Sequence, residues 1–218
     1  MITDPVLVRE LLSTAPMPPV PAASEASVAW LRTSVPRFCD GDDHARRRAA
    51  VCAELDRIEV ADLSGNTGEP LAHVRILLGA MELPSQLAEA VAEVAAAYQP
   101  HVPVTSTADA AVRELVAACG GQANEPTAAR ICVLVQACAA TGELIAAARA
   151  SGQAPGVIMA TTPPLRSTRR MVDGVVTELD LRHPGLGFGA GPHRCPASDH
   201  ALTLATAVLT SADDHATR

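Results

Sequence analysis

Aromatic side chains are nearly absent from this chain: Trp30, Tyr98, Phe38 and Phe188 are the whole set. A core without large rings has to be filled by helices packed closely through small side chains, and the abundance of alanine points the same way, to a mainly α architecture. Cys-x-x-Cys pairs and compact Cys/His groups are missing too, because Cys39, Cys52, Cys119, Cys132, Cys138 and Cys195 are dispersed. A zinc site therefore has no support, and reduced thiols suit a cytoplasmic protein. No apolar run approaches the roughly eighteen uncharged residues of a membrane span, and no charged-then-apolar leader opens the chain, so neither a membrane nor export is expected. The positive excess of a nucleic-acid binder is also lacking. With 17 basic against 24 acidic residues the net charge is −7, and the longest like-charged run is the short basic one at residues 46–48, so nucleic acid is excluded as a partner. Sequence repeats are absent. What is there, 218 residues at 48% hydrophobic, suffices to bury one compact domain over residues 1–218.

Residues 185–209, GLGFGAGPHRCPASDHALTLATAVL, are the stretch around which the rest is organised. A glycine-rich loop delivers a single cysteine, Cys195, to the start of a helix. Gly189 and Gly191 permit positive φ and let backbone N–H groups close on the sulfur, and the helix adds its positive end, so the loop is expected to favour the thiolate. Pro196 suits the first helical position, and Ala197, Ala201, Leu204, Ala205 and Val208 make a one-sided apolar stripe. A buried structural cysteine is the competing reading of Cys195.

Elsewhere the pattern is helical with proline-rich breaks. Asp4 caps a helix that Pro5 begins, with Val6, Leu7, Leu11 and Leu12 on its apolar side, and Pro16, Pro18, Pro19 and Pro21 make a loop. In the helix after FCDGDD, His44 and Arg48 are four apart and share a face, while Arg46 and Arg47 are expected to be exposed. Residues 71–98 read as two helices split at MELPS. Thr107 reads as the cap of the next helix and Gly120–Gly121 as its stop. The longest apolar helix follows, EPTAARICVLVQACAATGELIAAARASG, buried on several sides and carrying Cys138 as a core residue. After Gly152 a β-branched segment, GVIMATTPPLRSTRRMVDGVV, predicts a small sheet. His73 and His101 show no partner.

FGAGPHRCPA resembles the heme-ligand loop of the cytochrome P-450 heme-thiolate family at each constrained position: Phe188, Gly191, His193, Cys195 and Ala197. The resemblance implies a heme b cofactor with Cys195 as proximal ligand, metal-bound and catalytic, and with Phe188 and Gly189 in the cofactor loop. It also implies that His44, Arg48, Arg170 and His193 hold the heme propionates, with Arg166 and Arg169 as lesser alternatives to Arg170. A solvated basic turn remains the alternative for His44 and Arg48. The implied fold is a P-450-like helical core with a small β-sheet, from which several family elements are missing: the N-terminal region, the K helix with its E-x-x-R pair, and the meander.

The long apolar helix resembles the family's distal helix but departs from its A-G-x-[D/E]-T pattern. Ala139 and Ala140 replace the acid and alcohol that relatives use for proton delivery, with Thr141 next in line as a substitute catalytic group. The expectation is therefore a cytoplasmic heme-thiolate oxidoreductase acting on a small or natural-product substrate by atypical chemistry: peroxide use, dehydration, or N–O or N–N rearrangement. A redox partner and a homodimer both fit it. The alternative is a heme-binding sensor or a non-catalytic accessory protein derived from a cytochrome P-450.

Overall fold

The computed structural model describes residues 1–23, 25–65 and 70–216. The chain opens with α1 (Pro5–Thr14), where the Asp4 carboxylate accepts from the Val6 and Leu7 amides at 3.0 and 2.8 Å. This supplies the orphan N–H groups of the first turn with an acceptor. The buried stripe of α1 differs from the expected one: Val8 and Leu12 face inward while Val6 and Leu7 are exposed. Only the face one residue further on meets Leu179, Leu181, Leu186 and Ala190, and these form a small apolar cluster of their own.

A short helix α2 (Val28–Ser34), capped by Ser27, carries the buried Arg32. Its guanidinium donates to the carbonyls of Ala97, Tyr98 and Gln99 at 2.6, 3.0 and 2.8 Å, satisfying the acceptors left open where a helix ends. Then come α3 (Gly41–Leu55), α4 (Ala72–Ala80) and α5 (Ala88–Ala97), the last two separated by the predicted break at residues 81–85. In α6 (Ser106–Cys119) the cap is Thr105, which accepts from the Ala108 amide at 3.0 Å, rather than Thr107. Both threonines satisfy the local rule, and only one has extended backbone geometry. Gly120 stops the helix as expected.

The central element is α7 (Glu125–Ser151), which packs against α3, α4, α5, α6 and the last two helices. It is long and apolar enough, by length and composition, to cross a membrane, but here it is the buried core helix whose Ile131, Leu134 and Leu144 anchor the main apolar cluster. Gly152 ends it with φ +66°.

Residues 155–161 do not begin the predicted extended segment. They form α8 (Pro155–Thr161), begun by Pro155 in its first turn, a position where the missing N–H costs nothing. A helix therefore does precede the sheet, and it holds neither an acid nor an arginine, so the E-x-x-R pair is absent from it. The sheet is a single antiparallel hairpin, β1 (Ser167–Val172) with β2 (Val175–Asp180), turned at Asp173–Gly174 where φ is +50° and +77°. Ile2 adds a parallel bridge at Leu179. Finally α9 (Ser198–Ala216) returns across α7 and α4.

Candidate functional site

The loop between β2 and α9 is shaped by backbone hydrogen bonds that bring its two ends together. The Gly189 amide donates to the Leu186 carbonyl and the Cys195 amide to the Phe188 carbonyl, both at 2.8 Å. Gly189 and Gly191 take φ +71° and +66°, as the positive-φ reading of these positions requires. At Gly191 a side chain is barred on a second count: a Cβ would lie 2.6 Å from Ser13 Cα, so α1 packs directly on the loop. The helix begins at Ser198, later than Pro196, with Ala201 donating to the Ala197 carbonyl at 2.9 Å.

The expected proton balance at Cys195 is reversed. Burial pushes the thiol up, and the Ala197 amide with the charges of Arg48, Arg194 and Arg37 recovers only part of that cost. Neutral sulfur is therefore the resting form, and an arriving cation would be what removes the proton.

Around the loop, residues from four elements converge. His44 in α3 packs against His193, with ring centroids 4.1 Å apart and the planes tilted by 46°. The Nε2–H of His193 donates to Asp40 Oδ1 at 3.2 Å, and Asp40 Oδ2 accepts from the Met17 amide at 2.7 Å. The Met171 amide donates to the Pro16 carbonyl at 2.8 Å. The proline-rich loop is thus a strap that ties β1 to the start of α3, a role its composition did not reveal.

The three candidate arginines separate: Arg166 precedes β1, and the alternation of the strand turns Arg169 and Arg170 to opposite faces. Arg166 is exposed, and Arg169 pairs across the hairpin with Glu178 at 3.0 Å. Arg170 turns inward to 3% exposure. Its Nη1 reaches only its own strand, at Arg169 O 2.9 Å away, and its Nε is buried without a partner. Burial, then Arg37, lowers its pKa to about 10 against the pull of Asp40.

The same crowding acts on the histidines. Burial first and then Arg48 and Arg170 push His44 down, with Asp40 opposing. For His193, burial, His44 and Arg170 outweigh Asp40 and bring it to about 4. Arg48 makes no ion pair among the described residues. The basic run splits by helix phase: Arg46 and Arg47 both pair with Glu125, binding α3 to the start of α7. Arg47 is half-buried in doing so, rather than exposed as expected.

Two residues stand apart from this cluster. Phe188 packs against the main core and contributes its carbonyl to Cys195. Thr141 is 2% exposed and lies five residues beyond Gln136, about 140° around α7 from the face on which Gln136 meets Arg37. His73 is a core residue whose Nε2 lies 2.8 Å from the Cys138 carbonyl, and Cys138 is buried beside it as expected. A surface cleft of about 640 Å³, lined by Glu54, Arg57, Glu82 and Arg130, lies at the other end of α3 from His44. It takes no part in the cluster.

Among the described residues, Asp40 is the acid that acts on His44, His193 and Arg170 alike. The side-chain donors around it are imidazole and guanidinium, for the chain contains no lysine. Guanidinium stays charged when buried and matches a carboxylate with two parallel N–H groups. A soft thiol beside unspent guanidinium donors is the set that a metal-centred group bearing carboxylates would require, and the residues present fit such a group.

No protein-family model and no curated protein matches the chain. Among solved structures it is similar to the crystal structure of P450BioI in complex with hexadec-9Z-enoic acid ligated acyl carrier protein. The TM-score is 0.61 at 14% sequence identity, over 94% of this chain and 82% of that one. At that identity the likeness defines the fold: a mainly helical structure with a small two-stranded sheet, resembling part of a cytochrome P450 fold.

Proposed function

We propose that the chain is a heme-thiolate oxidoreductase of cytochrome P-450 type, with Cys195 as the proximal ligand. Its carboxylate-holding residues would be His44, Arg48, Arg170 and His193. The observation that carries the reading is the buried, unpartnered Nε of Arg170 in a cluster of arginine and histidine side chains around Asp40 beside the cysteine loop. When bound, heme supplies redox chemistry at an iron whose electronics the thiolate tunes. Cys195 gives up its proton on ligation, and the Ala197 amide with Arg48, Arg194 and Arg37 stabilises the negative sulfur left behind. Arg170, which Arg37 repels, would gain a carboxylate partner, Arg48 would supply a second guanidinium, and His44 and His193 would add donors once protonated.

Ala139 and Ala140 can neither donate nor relay a proton, and Thr141 is turned into the core. This supports chemistry on a small or natural-product substrate that needs no timed proton delivery, by peroxide use, dehydration, or N–O or N–N rearrangement. The same bareness of α7 supports the second reading, a heme-binding sensor or non-catalytic accessory protein.

The absorption spectrum of the hemin-loaded, reduced protein under carbon monoxide tests the ligand. Wild type should show thiolate ligation and Cys195→Ala should lose it while keeping its circular dichroism. An unchanged spectrum in the variant refutes Cys195. Turnover of a candidate substrate with and without reductant then separates enzyme from sensor.

A further inference from the structure

Arg37 is not among the four carboxylate-holding residues above, yet its charge bears on both Arg170 and Cys195. It sits in the 3-10 turn Pro36–Phe38 that leads into α3, with its guanidinium over the Phe38 ring at 5.8 Å. Its Nη1 makes one loose contact, 3.5 Å to Gln136 Oε1 on α7. Its Nε is buried and has no partner, as is that of Arg170 from β1. The two guanidinium groups repel each other, and both bear on Asp40's surroundings or on the cysteine: Arg37 lowers the proton affinity of Arg170 and also of Cys195 and Cys132. Among the described residues no hydrogen bond or ion pair joins Arg37 to Asp40, whose oxygens accept from His193 and the Met17 amide. Arg170 is buried and Arg37 half-buried, and each holds an idle, buried Nε–H, so two guanidinium groups from separate elements offer donors to one planar anion.

We propose that Arg37 is a further binding residue of the site and that, together with Arg170, it receives a carboxylate. The inference rests on the heme-thiolate reading only for the identity of that carboxylate, which is either one borne by the cofactor or one borne by a free substrate. Leaving the buried Arg170 guanidinium without an anion is costly, and a carboxylate shared with Arg37 offsets that cost.

The test compares wild type, Arg37→Ala and Arg37→Lys, with the exposed Arg113→Ala as a control. Each is titrated with hemin, with hemin dimethyl ester, whose carboxylates are blocked, and with dodecanoate as a simple carboxylate. Circular dichroism checks folding, and Arg37→Lys preserves the charge should Arg37→Ala unfold. If the cofactor supplies the carboxylate, Arg37→Ala weakens hemin binding by about tenfold to a hundredfold, the worth of a charged hydrogen bond. Binding of the dimethyl ester is then unchanged by the substitution, and Arg37→Lys falls between. If a free substrate supplies it, hemin binding is unaffected and dodecanoate affinity falls by the same factor. Equal affinities in wild type and Arg37→Ala for both hemin and dodecanoate overturn the proposal. Should wild type bind no hemin, the heme-thiolate reading fails, and the dodecanoate titration alone still decides the role of Arg37.

Discussion

Acid should weaken the ligand-free protein through His193, and the size of the effect follows from the site. In the unfolded chain a histidine takes up its proton below about pH 6.5. In the folded protein burial beside His44 and Arg170 delays this to about 4. Between those limits the unfolded state binds the extra proton, so stability is fully present above about pH 6.5 and is lost as pH falls toward 4. At about 1.4 kcal/mol per tenfold change in proton affinity, the loss across that window comes to about 3 kcal/mol. His44, pushed down by the same burial and by Arg48, adds to it with the same sign. Urea denaturation at about pH 7 and about pH 4.5 measures this for wild type and for His193→Gln, since glutamine keeps a donor for Asp40 but does not titrate. The variant should lose most of the pH dependence in this interval. If both proteins lose the same stability on acidification, the histidine pair is not the source, and the account of a cation-crowded site is wrong.

The other expected outcomes test separate parts of the structure. Arg170→Leu should stabilise the ligand-free protein by about 1–3 kcal/mol, because it removes a buried, repelled charge, while weakening hemin binding; destabilisation on urea titration would mean the guanidinium is already satisfied. Glu125→Gln should cost about 1 kcal/mol, modest because the pair is partly exposed. Arg46 and Arg47 hold the Glu125 carboxyl at about 2, so the contribution is present above the ordinary carboxylate range and fades as pH falls toward 2, and the variant should lack that acid limb. Gly191→Ala should destabilise by more than about 1 kcal/mol, since it meets both a φ of +66° and the backbone of Ser13. Hydrogen exchange should show the loss first in α1.

Local chemistry was legible in the sequence wherever a feature is settled within about four residues. Asp4 and Pro5 begin α1, Gly120 and Gly152 end two helices, and Gly189 and Gly191 bend the cysteine loop, because caps and positive-φ turns are made by neighbouring backbone groups. The mainly helical class with its one small sheet followed from alanine content and from the change of pattern after Gly152. His44, Arg48, Arg170 and His193 could be nominated one by one through resemblance, and the fold brings them to one place. Other features were decided by segments far apart in the chain. The inward face of α1 depends on β2 and on the loop after it. The strap formed by Pro16 and Met17, the double use of Asp40, and the repulsion between Arg37 and Arg170 all depend on how distant elements are arranged, which no local pattern encodes. The state of Cys195 shows the physical reason most directly. Sequence supplies the amide and the nearby positive charges that favour a thiolate, but the desolvation opposing them is a property of how the surrounding elements close over the sulfur, and there burial prevails.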